Sequence, residues 1–537
     1  MYHPTAHTSG TTERKQAMTD SNLTRLDARF HASVKQYRER IAVEDPGQGS
    51  LTYGELAETV AQLAAALRSV GITPGDRIGI CCPKSIPSVA AILAALETGG
   101  AYVPVDATAP ASRNAYIFQD CAVQAIIVDR KLVDGLRAEL DSADLKIVEP
   151  PKGLDRFGVD PVILQNPVAP TPEAAAAKST DIDSAYILYT SGSTGKPKGV
   201  IHTHASALAF VEWCFDEFEP TNEDVFSSHA PFHFDLSILD LYVPLLSGAK
   251  LVLISEENGK QPRRLAPLVA EHGITVWYST PTILRLLVEF GDLAQHDLSK
   301  LRLVLFAGEV YPIKYLRALQ TAWPHPSYYN LYGPTETNVC TFQAVPCPLP
   351  DSMTEAVPIG IACSGDKLRI VDESGVDVPA EDEGELIVAG ASVMLGYWRL
   401  PEQSTNAFQV DGDQRWYRTG DIVSLDAENR LVYRGRRDRM VKRRGNRVEL
   451  GEIEAGLYKH ESIAEVAVLA TSNAETGVAV HAFISWSGPG KAGVIAMKSF
   501  ANANLPSYMV PDRFHFLDTL PKTSTDKISY QQLQELL

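Results

Sequence analysis

The chain has 537 residues, 45% hydrophobic and 21% charged, with a formal net charge of -17 at pH 7. That length exceeds one ordinary core and predicts at least two domains. The acidic balance argues against nucleic acid or an anionic membrane surface as partner, and apolar runs such as Val89–Leu96 are far too short to span a bilayer.

Residues 1–22 are polar, lack the apolar segment of a secretory signal, and read as a disordered tail. Apolar residues at helical spacing follow over Leu51–Val70, then a turn at Gly71–Asp76 and a buried strand at Arg77–Cys82. A helix is predicted over Ser85–Glu97, and strands at Ala101–Val105, Ala125–Val128, Ala185–Tyr189, Leu251–Ile254 and Leu303–Phe306, the alternation of stacked α/β layers. Residues 149–182 are proline-rich and read as a loose surface crossing. Beyond Gly384 the pattern turns β-rich, at Glu385–Val388, Ile422–Leu425 and Leu431–Tyr433. After the basic run Arg434–Arg447 come a helix near Leu450–Lys459, strands near Val466–Leu469 and Ala479–Trp486, a helix at Lys491–Ala503, and an end with little order. The predicted fold is α/β: a large unit over 23–436 with a β-barrel-like part, and a small mobile α+β unit over 437–537. The 7 cysteines have no metal-ligand spacing; they predict reduced thiols and a cytoplasmic setting, with Cys81-Cys82 packed in the core.

The strongest chemical signal is Tyr189-Thr190-Ser191-Gly192-Ser193-Thr194-Gly195-Lys196-Pro197-Lys198-Gly199. A buried strand runs into glycines that free backbone N–H groups, hydroxyls that add donors, and two lysines, a set suited to polyphosphate. No Ser or Thr follows Lys196 to hold a metal ion, so this is not a P-loop. A flexible Gly/Ser linker is the plain alternative, and the strand directly before the loop argues against it.

At this loop the chain resembles the adenylate-forming superfamily, and within it the adenylation enzymes of nonribosomal peptide synthesis. Leu51–Leu56, Gly100–Asp106, Asn330–Thr337, Gly384–Leu386, Gly396-Tyr397-Trp398, Tyr417–Asp421, Gly435–Glu449 and Leu505–Pro511 fit family motifs in order, from about Leu51 to Lys527. The resemblance implies ATP and Mg²⁺. Thr190, Ser191, Gly192, Ser193, Thr194, Gly195 and Lys198 would cradle the phosphates. Tyr332 would stack on adenine, Thr335 touch the α-phosphate and Glu336 hold Mg²⁺. Asp421 would bind the ribose hydroxyls with Arg436 beside it. Lys527 would be the catalytic lysine, bridging substrate carboxylate and α-phosphate. Asp526 departs from the family's glycine there. Asp438 would be the hinge about which the small unit turns after adenylation, withdrawing Lys527 and bringing the loop around Gly445 towards a thiol tunnel.

Phe234-Asp235-Leu236-Ser237 matches the segment that opens the family's amino-acid pocket, where Asp235 would meet the substrate ammonium. Read alone, Asp235 is a helix N-cap candidate before Ile238–Leu245. Motif alignment adds Leu236, Leu239, Tyr278, Leu305, Ala307, Leu331, Val339 and Cys340, an apolar set implying a compact apolar side chain. This lining resembles free-standing prolyl ligases and implies L-proline; the greasy pocket by itself fits proline, valine or alanine. His233 and Phe234 stand at an aromatic gate. The implied reaction is activation of proline as prolyl-AMP, then transfer to the phosphopantetheine thiol of a carrier protein in trans, since the chain ends ten residues after Lys527. The basic run Arg434–Arg447 is a candidate carrier contact. The alternatives are a D-alanine–carrier ligase and a catalytically dead nucleotide-binding protein.

Overall fold

A computed structural model describes residues 23–140, 145–150, 153–165, 184–190, 196–380, 382–436, 440–473, 477–488, 493–522 and 528–537. Ser191–Gly195, Asp438, Asp526 and Lys527, and the predicted tail over 1–22, lie outside the described residues.

Two large sheets carry the first part of the chain. One has nine strands, with Val225–Ser228, Val276–Ser279, Leu303–Ala307 and Ser327–Tyr332 parallel at its centre. The other has eight strands, with Arg77–Cys81, Ala101–Pro104 and Ser184–Thr190 parallel at its centre. Central strands buried on both faces explain the continuous apolar runs in the sequence. The helix predicted from Leu51 starts at Tyr53, because Thr52 and Glu55 form a capping box: Thr52 Oγ1 accepts from the Glu55 N–H at 3.2 Å and Glu55 Oε2 from the Thr52 N–H at 2.8 Å. The helix predicted at Ser85 likewise starts one residue later, capped by Ser85. Cys81 and Cys82 are buried as expected, and all seven cysteines are unbridged.

Three sequence expectations need correction. The β-barrel-like part is an open five-stranded sheet, with no closed barrel among the described residues. Its twelve-residue strand Gln414–Leu425 pairs with Gly384–Ala389 along one edge, while Phe408–Asp411 and Leu431–Arg436 share the other edge end to end, so the sheet never closes on itself. The stretch read as loose contains the buried strand Pro161–Gln165, paired antiparallel with Ala125–Asp129. Proline is tolerated there because it opens the strand. The chain end read as poorly ordered holds the strand Arg513–Leu517, parallel to Gly477–Trp486, and the short helix Tyr530–Gln534.

Residues from Met440 onward bury cores of their own. Val448, Ile453, Leu457, Val468, Ile484 and Met497 form one cluster, and Ala467, Phe483, Leu520 and Leu533 another. Glu452, at the start of the helix Leu450–Leu457, is ion-paired with Arg113 of the large part.

Candidate active site

The centres of both large sheets and the part beyond Met440 meet at one cleft. Its walls include Thr190, Asp235, Leu236, Tyr278, Ala307, Thr335, Val339, Arg436, Lys442, Arg447 and Tyr508.

The sheet edge builds the apolar floor. Tyr278 and Leu305 are register partners, as are Ala307 and Leu331, and all four belong to one buried cluster. Of the nine residues assigned to the amino-acid pocket, Asp235, Leu236, Tyr278, Ala307 and Val339 line the cleft. Leu239, Leu305 and Leu331 pack behind this wall in the same cluster. Cys340 turns to the opposite side from its neighbour Val339 and packs with Tyr332 and Ile359. His233 and Phe234 both line the cleft, their rings 4.6 Å apart and T-shaped, and Phe234 meets Tyr508 at 6.3 Å.

Asp235 does not cap the helix that follows it. Leu236 takes that position without a side-chain cap, and Asp235 Oδ2 instead accepts a 2.6 Å hydrogen bond from Thr335 Oγ1. Burial raises the Asp235 carboxyl above its ordinary range, with the Thr335 bond and the charge of Lys442 opposing. The turn Thr335–Thr337 is itself fastened from below. His202 Nε2 lies 2.8 Å from the Thr335 carbonyl, and Tyr186 Oη donates to Asn338 Oδ1 at 2.9 Å. Asn338 holds φ +55°, a positive φ that non-glycine residues seldom adopt. A Cβ at Gly333 would stand 2.4 Å from the Asn338 carbonyl oxygen, so only glycine allows this turn to fold back.

Glu336 is fully buried and central. Arg447 Nη1 donates to both of its oxygens at 2.8 Å, Tyr397 Oη donates at 2.8 Å, and Lys198 Nζ lies 3.6 Å away. Burial works to raise the Glu336 carboxyl, but Arg447 and Lys198 overcome it and hold the group well below the usual carboxylate range. Burial, with Arg447 nearby, pushes Lys198 down to about 8. Asp421 Oδ1 accepts from Arg436 Nη1 at 2.8 Å, and Asp421 Oδ2 is bonded to the Tyr332 hydroxyl. Lys442 Nζ stands 5.0 Å from the Tyr332 ring centroid.

Sequence reasoning missed Lys442, Arg447 and Asn338 as site residues. The first two sit in the basic run that reads as a carrier contact, yet most of its described cations are turned inward. Arg436 meets Asp421, Arg447 meets Glu336, and Arg443 meets the Tyr508 and Val510 carbonyls and Asp512. Nothing in the run itself separates these inward cations from solvent-facing ones, because their partner lies far off in sequence: Glu336 is 111 residues from Arg447.

The Gly445 loop is docked on the large part. Its N–H donates to Glu309 Oε1 at 2.9 Å, and at φ +78° a Cβ on Gly445 would stand 2.2 Å from Thr280 Cγ2. A closely apposed backbone of this kind needs glycine.

The cleft therefore joins a cation-rich end to an apolar end holding one carboxylate. Thr190 Oγ1 and Asn446 Oδ1 are buried there without a hydrogen-bond partner among the described residues. Orphaned polar atoms beside Lys198, Lys442, Arg436 and Arg447 fit an anionic, hydrogen-bonding ligand such as a nucleotide phosphate.

Residues 30–398 match the family described as AMP-binding enzyme, and residues 452–527 match the AMP-binding enzyme C-terminal domain. The chain is 40% identical over 499 residues to an L-proline–[L-prolyl-carrier protein] ligase of Streptomyces coelicolor, covering 91% of this chain and 92% of that protein. It is 37% identical over 505 residues to the ligase of the same name from Pseudomonas fluorescens, covering 94% and 97%. The crystal structure of IdnL1 superposes with a TM-score of 0.76 at 29% identity, covering 93% of this chain and 99% of that one. The Vibrio cholerae adenylation domain AlmE, solved with glycyl-adenosine-5'-phosphate, gives 0.76 at 25% identity, covering 100% and 99%.

Proposed function

The chain belongs to the AMP-binding enzymes, and on that premise we propose that it activates L-proline with ATP as prolyl-AMP and passes the prolyl group to the phosphopantetheine thiol of a separate carrier protein. The observation that carries this reading is a half-buried carboxylate, Asp235, set in the wall of an apolar cleft whose other end is lined by Arg436, Lys442 and Arg447. An imino acid fits the first end and a triphosphate the second. The two relatives named for prolyl–carrier ligation share 40% and 37% of their residues with this chain over nearly its full length.

In the first step a proline carboxylate oxygen attacks the α-phosphorus, and pyrophosphate leaves. In the second the thiol attacks the adenylate carbonyl, and AMP leaves. Asp235 holds the proline ammonium, Thr335 orients Asp235 and reaches the α-phosphate, and Tyr332 with Asp421 takes the nucleoside. Glu336, fully ionised, is the residue that would hold a magnesium ion, which neutralises phosphate charge when bound. Asp438 serves as the hinge between the large unit, 23–436, and the small one, 437–537. The docked Gly445 loop supports reading the described arrangement as that of the transfer step. The unbridged thiols support a cytoplasmic setting.

The test is amino-acid-dependent ATP–pyrophosphate exchange across the common amino acids and D-alanine. L-proline leads by at least about tenfold, since one methylene in an apolar pocket discriminates by about 1–3 kcal/mol. D-alanine outrunning L-proline would reverse the substrate assignment, and tight ATP binding without any exchange would replace it with a nucleotide-binding role. Lys527→Ala, in turn, is expected to suppress adenylate formation on the order of 10²-fold or more, as removal of an electrostatic stabiliser does, while transfer from preformed prolyl-AMP persists. Equal loss of both half-reactions would remove the role assigned to that lysine.

A further inference from the structure

We propose that Lys84 and Asp240, neither of which lines the cleft, are a positioning pair that anchors the loop carrying Asp235 and thereby sets the affinity for the amino acid. The inference rests on the role given to Asp235 above.

The loop leaves the sheet at the end of strand Val225–Ser228 and enters the helix Ser237–Ser247. Lys84 reaches its start from the turn before the helix Ile86–Glu97. Its Nζ donates to the Ser228 carbonyl at 2.7 Å and the His229 carbonyl at 2.9 Å, and lies 5.6 Å from the centroid of the Phe232 ring. Asp240, in the first turn of the following helix, has no solvent exposure, and its Oδ2 accepts from the Ala230 N–H at 3.3 Å. The His229 imidazole is held on the far side, its Nε2 3.3 Å from the Gly259 carbonyl. Downstream, Ser237 Oγ donates to the Phe232 and Phe234 carbonyls. The backbone of Ser228–Ala230 is thus gripped by a cation through its carbonyls and by an acid through an amide. Asp235 hangs five residues beyond the second grip.

These two groups are costly where they sit. Asp240 Oδ1 has no hydrogen-bond partner among the described residues. Burial pushes the Asp240 carboxyl up to about 8 and the Lys84 ammonium down to about 8, while their mutual attraction opposes both shifts, with Glu256 and Asp45 also attracting Lys84. Apolar residues of similar volume commonly fill such positions without loss of stability, so packing alone does not call for them. What apolar residues cannot supply is directed hydrogen bonding to the loop backbone. A displaced Asp235 holds the amino acid less well in the ground state and the transition state alike, a loss that falls on KM rather than on kcat.

The experiment compares Lys84→Met, Asp240→Ala and Lys84→Arg with the parent enzyme in proline-dependent ATP–pyrophosphate exchange, with ATP and proline varied separately. Lys84→Met and Asp240→Ala are each expected to raise the KM for proline about tenfold or more, with the KM for ATP and kcat within about twofold of parental, the signature of lost substrate binding rather than of a damaged fold. Lys84→Arg, which keeps the charge and at least two donors, restores the proline KM to within about threefold. The pair has no positioning role if either soluble variant keeps a parental proline KM, if the KM values for proline and ATP rise together, or if Lys84→Arg is as impaired as Lys84→Met. A parent enzyme that exchanges with no amino acid would take down the proposed function and this inference together; a parent that exchanges while the variants match it would remove only the pair.

Discussion

Asp235→Ala lowers kcat/KM for proline-dependent pyrophosphate exchange on the order of 10²–10⁴-fold, while the enzyme still binds ATP. The argument is electrostatic. Asp235 is a half-buried acid whose side chain is bonded to Thr335 Oγ1, at the wall of a pocket whose lining includes Leu236, Tyr278, Ala307 and Val339. A proline ammonium entering that pocket leaves water and finds no other carboxylate along this lining among the described residues. Removing one partner of a buried ion pair costs about 3–5 kcal/mol, because the other charge stays desolvated. Each 1.36 kcal/mol is tenfold, which yields the stated range. The measurement is steady-state exchange with proline varied, beside ATP binding by calorimetry. A variant that retains exchange within tenfold of parental would show that the nitrogen is held elsewhere. One that loses ATP affinity equally would show a collapsed site. Acid works in the same direction. Burial raises the Asp235 carboxyl, so it takes up its proton at a higher pH than an ordinary aspartate, and proline affinity begins to fall correspondingly early as the pH is lowered.

Arg447→Met separates the two half-reactions. In the described arrangement Arg447 donates to both oxygens of Glu336, and the pair joins the small part of the molecule to the large. Loss of the guanidinium leaves a fully buried carboxylate with Tyr397 at 2.8 Å and Lys198 at 3.6 Å. Breaking a buried pair costs about 3–5 kcal/mol, and here the cost falls on the docked orientation alone. Single-turnover transfer from preformed prolyl-AMP to the carrier thiol is therefore expected to slow on the order of 10²-fold, since 1.36 kcal/mol is tenfold and lysine at 3.6 Å compensates in part. Adenylate formation changes by no more than about threefold, since on the proposed hinge reading the small part, and Arg447 with it, is turned away from the phosphates in that step and Glu336 is available to a metal ion. Loss of both half-reactions to the same degree would mean that Arg447 serves the fold rather than the docked state.

Much of this enzyme is legible before any coordinates. Local rules carry much of the secondary structure: apolar spacing predicts helices over Leu51–Val70 and Ser85–Glu97, and they are found over Tyr53–Ser69 and Ile86–Glu97. Motif order supplies the family, and with it the assignment of Asp235, Thr335, Glu336 and Asp421. These signals survive in one dimension because backbone conformation and spacing are local properties. Other features depend on what the chain meets after folding. Motif alignment places Val339 and Cys340 together in the pocket but does not say which way each side chain turns; Val339 lines the cleft and Cys340 packs with Tyr332 and Ile359. Composition reports that Arg434–Arg447 is basic, but the distances to Asp421, Glu336 and Asp512 decide that Arg436, Arg447 and Arg443 point inward. Lys84 precedes Asp240 by more than 150 residues, and only the packing of two sheets brings both onto one stretch of backbone. Sequence determined the elements, the family and the chemistry of single residues; tertiary structure decided the pairings of charges, because Coulomb energy depends on separation in space and on burial, and neither is written along the chain.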